Sequence, residues 1–112
     1  MCTKDQLSCI LETVVEQVRA LVGEKLDAVV LYGSYARGDY DAESDIDIMV
    51  RIRCPQDGLS DYEDALARIC SRVSLQYDVT VSIVPVSNQT FERFRTALPF
   101  YANTEKEGVR IA

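Results

Sequence analysis

Three aspartates, Asp45, Asp47 and Asp78, form the pattern in this sequence with the most chemical content. Asp45 and Asp47 are two residues apart in a segment of alternating apolar and polar residues, so on a strand both carboxylates point to one side. Asp78 begins another β-branched segment, although Asp is depleted in strands. Three convergent carboxylates repel one another unless cations bind them. Because hard oxygen ligands suit Mg²⁺ or Mn²⁺, the pattern predicts a site for two such ions, held by all three aspartates.

A glycine-containing turn precedes the paired aspartates and could bind an anion. Gly33 and Ser34 follow a predicted strand, and a glycine there lets the backbone approach a phosphate closely. A helix that starts at this turn would offer its first N–H groups to the anion. Arg37 could add a cation for the same phosphates. We therefore predict that Gly33, Ser34 and Arg37 bind the phosphate groups of a ligand.

Each of these two patterns has a purely structural alternative. Asp45 and Asp47 could lie on the solvated outer face of an edge strand, where acidic residues are common. Gly33 and Ser34 could form a tight strand-to-helix turn in which Ser34 is the N-cap and no ligand binds. The metal and phosphate interpretation gains weight because the glycine turn and the carboxylates occur together.

Other familiar sites are excluded by the residue types present. The sequence has no histidine, and its four cysteines lack C-x-x-C spacing, which excludes a Cys/His zinc site of known pattern and a histidine-based triad. It has neither a P-loop nor a G-x-G-x-x-G motif. The acidic loop that begins at Asp39 is not an EF-hand loop, because Ser44 and Val50 stand where glycine and glutamate are required.

The sequence clearly predicts the first two elements that must position these residues, a helix and a strand. Residues 7–22 carry a broad apolar stripe at helical spacing, with Thr3 and Gln6 as a capping box and Gly23 as the C-terminal stop. Residues 26–32 form a short apolar and β-branched run, which predicts a strand.

The next two elements are a strand and a helix. In residues 45–53 the period changes to two, with an apolar face and an opposite face that carries the aspartates. The apolar face is formed by Ile46, Ile48, Val50 and Ile52. Ser60 and Glu63 form a possible second capping box, and the apolar residues behind it predict a helix.

The last part of the chain predicts a strand over residues 77–86 and a short helix over 90–98 that ends before Pro99. The tail, residues 100–112, is predicted to pack as an irregular segment. The resulting order, α-β-β-α-β-α, predicts an α/β (α+β) fold: a small mixed sheet with helices packed on one face. Asp78 would lie at the start of the third strand. Thr80 and Ser82 follow on the same face and are not acidic, so the role of Asp78 depends on the strand register.

Length and composition predict one domain, residues 1–112, of an ordinary globular protein in the cytoplasm. We find no apolar run long enough to span a bilayer and no signal peptide at the N-terminus. The formal net charge of −6 disfavours long nucleic acid as a partner. A nucleotide carrying metal ions remains compatible with this charge, because bound cations invert the local electrostatics.

Residues 33–50, GSYARGDYDAESDIDIMV, resemble the signature of the polymerase-β-like nucleotidyltransferases, in which Gly-Ser is followed by a loop and Asp-x-Asp. The segment is most similar to the minimal nucleotidyltransferases, with G-S-x-A-R-G followed by S-D-x-D. The resemblance is dense over residues 26–53 and returns around Asp78 and in the C-terminal segment. The matching positions are Gly33, Ser34, Ala36, Arg37, Gly38, Ser44, Asp45 and Asp47.

The resemblance implies a fold with a mixed sheet and helices packed against it. It implies an enzyme in which a substrate hydroxyl attacks the α-phosphate of a nucleoside triphosphate, ATP being expected, with pyrophosphate leaving. Mg²⁺ or Mn²⁺ would assist, with two ions. The residue roles it implies are metal binding for Asp45 and Asp47, triphosphate binding for Gly33 and Ser34, deprotonation of the hydroxyl for Asp78, and phosphate binding or loop anchoring for Arg37.

The chain is small for this family, since larger relatives carry a further domain that binds the acceptor. Minimal members often act beside a separate helical protein, in some cases as the antitoxin of a toxin–antitoxin pair, so the resemblance implies a helical partner encoded nearby or a homodimer. Two other classes remain open: a binding module that neutralises its partner by contact alone, and a regulatory nucleotide sensor without turnover.

Overall fold

We describe the protein from a computed structural model in which residues 4–41 and 44–112 are described. The chain forms five helices and four strands within those ranges. The helices are α1 (Lys4–Val22), α2 (Ser34–Arg37), α3 (Ser60–Tyr77), α4 (Asn88–Phe94) and α5 (Pro99–Glu107). The strands are β1 (Leu26–Tyr32), β2 (Ile46–Ile52), β3 (Val81–Ser87) and β4 (Val109–Arg110), and short 3₁₀ turns span Gly23–Lys25 and Gln56–Leu59.

The four strands form one mixed sheet in the order β3-β2-β1-β4. β1 pairs antiparallel with both β2 and β4, whereas β2 and β3 are parallel. A parallel pair needs a long crossover, and α3 supplies it between β2 and β3. The predicted α/β class with a mixed sheet is confirmed.

The main core lies between one face of the sheet and the two long helices, α1 and α3. The predicted apolar face of β2 is confirmed, because Ile46, Ile48, Val50 and Ile52 are all fully buried there. α1 contributes Ile10, Val14 and Val18, and α3 contributes Leu66, Ile69 and Val73. Tyr77 at the end of α3 also shares a 2.8 Å hydrogen bond with Thr13 of α1, which ties the two helices together.

The second face of the sheet is also covered, which the prediction of helices on one face did not include. Its smaller cluster unites Ala28, Val30, Met49 and Val86 with Phe91 of α4, and Tyr101 of α5 packs against it. The Arg51 guanidinium stacks 4.2 Å above the Phe91 ring, and its Nε lies 2.6 Å from Asp27. The side chains of β2 therefore alternate between two faces of the sheet that are both covered. Met49 is an apolar side chain that is buried on the second of these faces.

The predicted strand over residues 77–86 begins four residues too early. Tyr77 closes α3, Asp78 adopts the left-handed conformation (φ 54°, ψ 49°), and β3 runs over Val81–Ser87. The N–H of Asp78 bonds to the carbonyl of Ser74, as in a helix C-cap. Tyr77 can face the core from a helix as well as from a strand. The alternation of apolar and polar residues therefore could not distinguish a helix from a strand at this position.

The tail predicted to be irregular instead forms α5 and β4. Pro99, which the sequence predicts to follow the end of a helix, stands in the first turn of α5, where its fixed φ and missing N–H are compatible with a helix. The capping box predicted at Ser60 and Glu63 is wrong, because the Ser60 hydroxyl donates to the Asp57 carbonyl and no side chain caps α3. The box at Thr3 and Gln6 includes Thr3, which lies outside the described residues. Gly23 has φ +63°, as its predicted role as a helix stop requires.

The helices found in the described ranges include none that is both long and apolar enough to cross a membrane. Cys9, Cys54 and Cys70, the cysteines that lie in those ranges, are free thiols.

The outer edge of β3 is closed by side chains of α3. The Val81 N–H donates to the Ser74 hydroxyl at 3.0 Å, and the backbone of Ile83 lies close enough to the Cys70 thiol to lower its pKa against the larger effect of burial. Two residues further along the strand, Pro85 has no N–H to offer. An open edge strand is a site for pairing with other chains, so these contacts protect this edge.

We expect Ser74→Ala to lower the free energy of unfolding by about 1 kcal/mol, because the Val81 N–H loses its partner. Ser71→Ala, at an exposed position on the same helix, is the matched control and should change stability by less than about 0.5 kcal/mol. Urea unfolding of both variants measures the difference. Equal stability of the two variants would show that the hydrogen bond at the edge contributes nothing.

Candidate active site

Asp47 lies on the central strand of the described sheet, and Asp45 precedes that strand by one residue. In the register, Asp47 is opposite Tyr32 of β1 on one side and Ser82 of β3 on the other. Asp47 is half-buried and Asp45 is exposed. Because β2 has a neighbour on both sides, the alternative of an outer face on an edge strand is excluded.

The electrostatics of the site show two carboxylates held close together. Burial raises the pKa of Asp47, the nearby Asp45 charge raises it further, and Arg37 lowers it. Burial and the charge of Asp47 also raise the pKa of Tyr32. A half-buried carboxylate beside a second one is stabilised in its charged form when a cation binds, because opposite charge favours ionisation.

Gly33 is fixed as glycine by its backbone and by its contact with Asp47. Its φ of 73° and ψ of −155° lie in a region that is essentially restricted to glycine. A Cβ added at Gly33 would lie 2.6 Å from Oδ2 of Asp47, closer than a Cβ atom approaches another non-bonded atom. The turn after β1 therefore touches the carboxylate directly, which ties the two predicted motifs into one site.

The turn itself is a single helical turn held by Gly33. The carbonyl of Gly33 accepts the N–H groups of Ala36 and Arg37, both at 3.1 Å. Gly33 rather than Ser34 is thus the N-cap residue, and no side chain caps the turn. The capping role considered for Ser34 is not the one it has.

Aromatic stacking fixes the loop that follows the turn. Tyr35, which is buried in the main core, stacks on Tyr40 with ring centroids 4.2 Å apart and planes inclined by 9°. This contact attaches the loop to the core on the N-terminal side of Asp45.

Arg37 is anchored to its surroundings in this structure. Its Nε lies 3.2 Å from Asp39, and its Nη1 lies 3.7 Å from Glu107 near the end of α5. Of the two roles expected for Arg37, loop anchoring is the one visible here. Exposed pairs of this kind contribute about 0–1 kcal/mol, so a triphosphate could displace them.

Asp78 stands apart from the pair formed by Asp45 and Asp47. It is an exposed residue that ends α3, three residues before β3 begins. Within residues 4–41 and 44–112, no three acidic, histidine or cysteine side chains are grouped so that they could hold a metal ion. The structure thus brings together Gly33, Asp45 and Asp47, with Arg37 close enough to act on Asp47.

Tyr32 belongs to this site and was not singled out from the sequence. It pairs with Asp47 across β1 and β2 and makes an edge-to-face contact with Phe100 of α5, at 5.4 Å between ring centroids. The sequence feature that could have indicated Tyr32 is its position directly before Gly33, on a strand expected to lie near the aspartates. Identifying it required the antiparallel register, which the sequence does not give.

The family of the chain follows from a match that covers most of its length. Residues 11–111 match the model of the nucleotidyltransferase domain. The chain therefore belongs to the nucleotidyltransferase domain family, as the resemblance in residues 33–50 implied.

Two relatives come from the archaeon Methanocaldococcus jannaschii, and both are named as candidate protein adenylyltransferases. MJ0141 is 40% identical over 67 residues, which span 60% of this chain and 66% of MJ0141. MJ0604 is 33% identical over 84 residues, which span 75% of this chain and 76% of MJ0604.

Solved structures share the fold at lower identity. A toxin-antitoxin crystal structure with AMP-PNP superposes with a TM-score of 0.60 and 21% identity, over 91% of this chain and 72% of the other. A structure described as a candidate minimal nucleotidyltransferase gives a TM-score of 0.59 and 24% identity, over 94% of this chain and 92% of the other. These likenesses confirm the fold expected from the resemblance.

The contact between Gly33 and Asp47 can be separated from the strain of a positive φ by a matched pair of variants. Gly38 has φ +86°, but a Cβ added there would meet no atom within 4 Å. We expect Gly38→Ala to lower the free energy of unfolding by about 1–2 kcal/mol through backbone strain alone. Gly33→Ala should cost roughly twice as much and should displace the carboxylate of Asp47.

Urea unfolding measures the two stabilities, and NMR of the Asp47 carboxyl carbon reports its displacement. A change at Asp47 that is equally large in both variants would contradict the direct contact.

Proposed function

We propose that this protein is a metal-dependent enzyme that transfers AMP from ATP to a hydroxyl group on a protein or small-molecule acceptor, with release of pyrophosphate. The observation that carries the proposal is the contact between Gly33 and Asp47. It brings the turn that would bind the triphosphate against the carboxylates that would bind its metal ions. The chain's membership of the nucleotidyltransferase domain family supports this reading of the contact.

The donor atoms at this site fit Mg²⁺ or Mn²⁺. Asp45 and Asp47 offer hard oxygen ligands, and the raised pKa of Asp47 marks a site where added positive charge would be favourable. Mg²⁺ is commonly held by one or two carboxylates and completes its shell with substrate phosphates and water. Asp45 and Asp47 would therefore hold the two ions together with the nucleotide. When bound, such ions polarise the attacking oxygen and neutralise charge on the leaving group.

The residues of the chain would mainly bind and orient the nucleotide. In the transfer, the acceptor oxygen forms a bond to the α-phosphorus and releases its proton to solvent water. The bond from that phosphorus to the β-phosphate oxygen breaks, and pyrophosphate leaves. The backbone at Gly33 and Ser34 would hold triphosphate oxygens, since no Cβ at Gly33 blocks the approach. Arg37 would leave Glu107 and pair with the phosphates.

The choice of AMP and of a protein acceptor is supported by the relatives. Both archaeal proteins are named as candidate protein adenylyltransferases, and one structural neighbour was solved with AMP-PNP. That neighbour is a toxin-antitoxin structure, which favours a role as the antitoxin of such a pair, acting on a helical partner protein encoded nearby. A homodimer is the other assembly compatible with the family resemblance. A location in the cytoplasm is also part of this proposal.

A second candidate function is a binding module that keeps the fold and neutralises a partner by contact alone. The position of Asp78 favours it to some degree, because the described residues of the site supply two carboxylates instead of the expected three. Pure binding, however, gives no reason to keep Asp45 and Asp47 beside each other at the cost of their mutual repulsion.

The test is transfer of label from ATP labelled at the α-phosphate, with Mg²⁺ and the product of the neighbouring gene. We expect Asp45→Asn and Asp47→Asn each to lower label transfer and pyrophosphate release by at least about a hundredfold, because stabilisation by a bound metal is worth several kcal/mol. The matched control is Asp64→Asn, an exposed acidic position on α3 that should keep full activity.

Circular dichroism and thermal unfolding should show all three variants folded. Wild-type transfer by the Asp47→Asn variant would contradict the proposal. If no pyrophosphate forms while wild type and variants neutralise the partner equally, the binding module is the correct account.

A further inference from the structure

The register of the parallel strands fixes which residue of β3 lies beside Asp47. Asp47 is the direct partner of Ser82, between the pairs Ile46–Val81 and Ile48–Ile83. Side chains of directly paired residues in a sheet point to the same face. The isoleucines and Val81 pack in the main core, so Asp47 and Ser82 share the opposite face.

A groove between α3 and β3 has Ser82 and the other carboxylate, Asp45, among its lining residues. Thr80 and Glu63 also line this groove, whose volume is about 430 Å³. The N–H of Ile46 bonds to the carbonyl of Thr80 at 2.9 Å, which fixes the start of β2 against β3. Ser82 is partly exposed and lines the groove, so this part of β3 is open to a ligand.

Asp78 has a different structural role. It is four residues before Ser82, outside the strand ladder, and its left-handed conformation ends α3. It is the one residue other than glycine with a positive φ among those the structure describes. Asp is among the few residues that adopt this conformation readily, which accounts for an aspartate here without any metal.

We propose that Ser82, and not Asp78, occupies the third position of the metal site beside Asp45 and Asp47. This inference rests on the proposed function, because it assigns a residue of that same site. A serine hydroxyl is uncharged and can offer one neutral oxygen to a cation or to its bound water. It adds no negative charge beside Asp47, and it does not serve as a base for the acceptor proton. The site of this chain is therefore a two-carboxylate site, with a lower affinity for free metal than a three-carboxylate site on the same backbone.

The affinity for Mn²⁺, measured by electron paramagnetic resonance with and without a non-hydrolysable ATP analogue, tests this assignment independently of turnover. We expect Ser82→Asp to tighten Mn²⁺ binding by at least about tenfold, since affinity rises with the number of charged ligands. Ser71→Asp adds the same charge at an exposed position of α3 and is the matched control, with affinity unchanged. Asp78→Asn should also leave affinity unchanged, because Asn tolerates the left-handed conformation and only the charge is lost.

Thermal unfolding gives a second readout. Without divalent metal, Ser82→Asp should unfold at a lower temperature than the wild type, since three carboxylates repel, and Mn²⁺ should raise its melting temperature more than that of the wild type. The inference is overturned if Asp78→Asn weakens Mn²⁺ binding tenfold or more, a result that does not depend on whether Ser82→Asp folds. It is equally overturned if a folded Ser82→Asp protein binds Mn²⁺ no more tightly than Ser71→Asp does.

Failure of this inference is distinguishable from failure of the proposed function. If Asp45→Asn and Asp47→Asn abolish Mn²⁺ binding while Asp78→Asn weakens it, the site stands and only the assignment of Ser82 falls. If neither Asp45→Asn nor Asp47→Asn alters Mn²⁺ binding, the proposed function itself fails.

Discussion

The burial of Asp47 on β2 beside Asp45 is the constraint on which the candidate site depends. One of these carboxylates is half-buried on a central strand, and burial together with its neighbour raises its pKa. The arrangement costs free energy in the absence of a cation, so it persists only because surrounding structure holds it in place. β2 is that support, since its apolar side chains are fully buried and its position is fixed by a partner strand on either side.

One face of the sheet mainly stabilises the fold, and the other face carries the candidate site. The long helices α1 and α3 cover one face with a continuous core. The opposite face carries a smaller cluster under α4 and α5. Asp47, near the start of β2, is only half-buried on this face. The crossover helix α3 also covers the outer edge of β3 through the Ser74 hydroxyl, so β3 can present Ser82 to the site while this part of its edge stays protected from pairing.

Sequence patterns identified the parts of this site that are local in the chain and missed those that depend on register. The turn at Gly33 and the pair Asp45 and Asp47 were found because their spacing is itself the signal. The alternation of Tyr77 and Val79 with Asp78 predicts a strand at Asp78, but α3 ends at this point. The side chains of Tyr77 and Val79 pack against the core from positions before β3. Side-chain alternation records which face is buried, and it does not record which residue lies opposite Asp47. The prediction of an irregular tail after Pro99 was wrong for a related reason, since proline is found both after the ends of helices and in their first turns.

We propose that the carboxylates of Asp45 and Asp47 and the turn at Gly33 form one site for a nucleotide and its metal ions. The most direct measurement is a crystal structure with Mn²⁺ and a non-hydrolysable ATP analogue, with the metal located by anomalous scattering. We expect Mn²⁺ bound by carboxylate oxygens of both aspartates, with triphosphate oxygens against the backbone of Gly33 and Ser34. Mn²⁺ bound elsewhere, or a triphosphate bound away from Gly33, would contradict it.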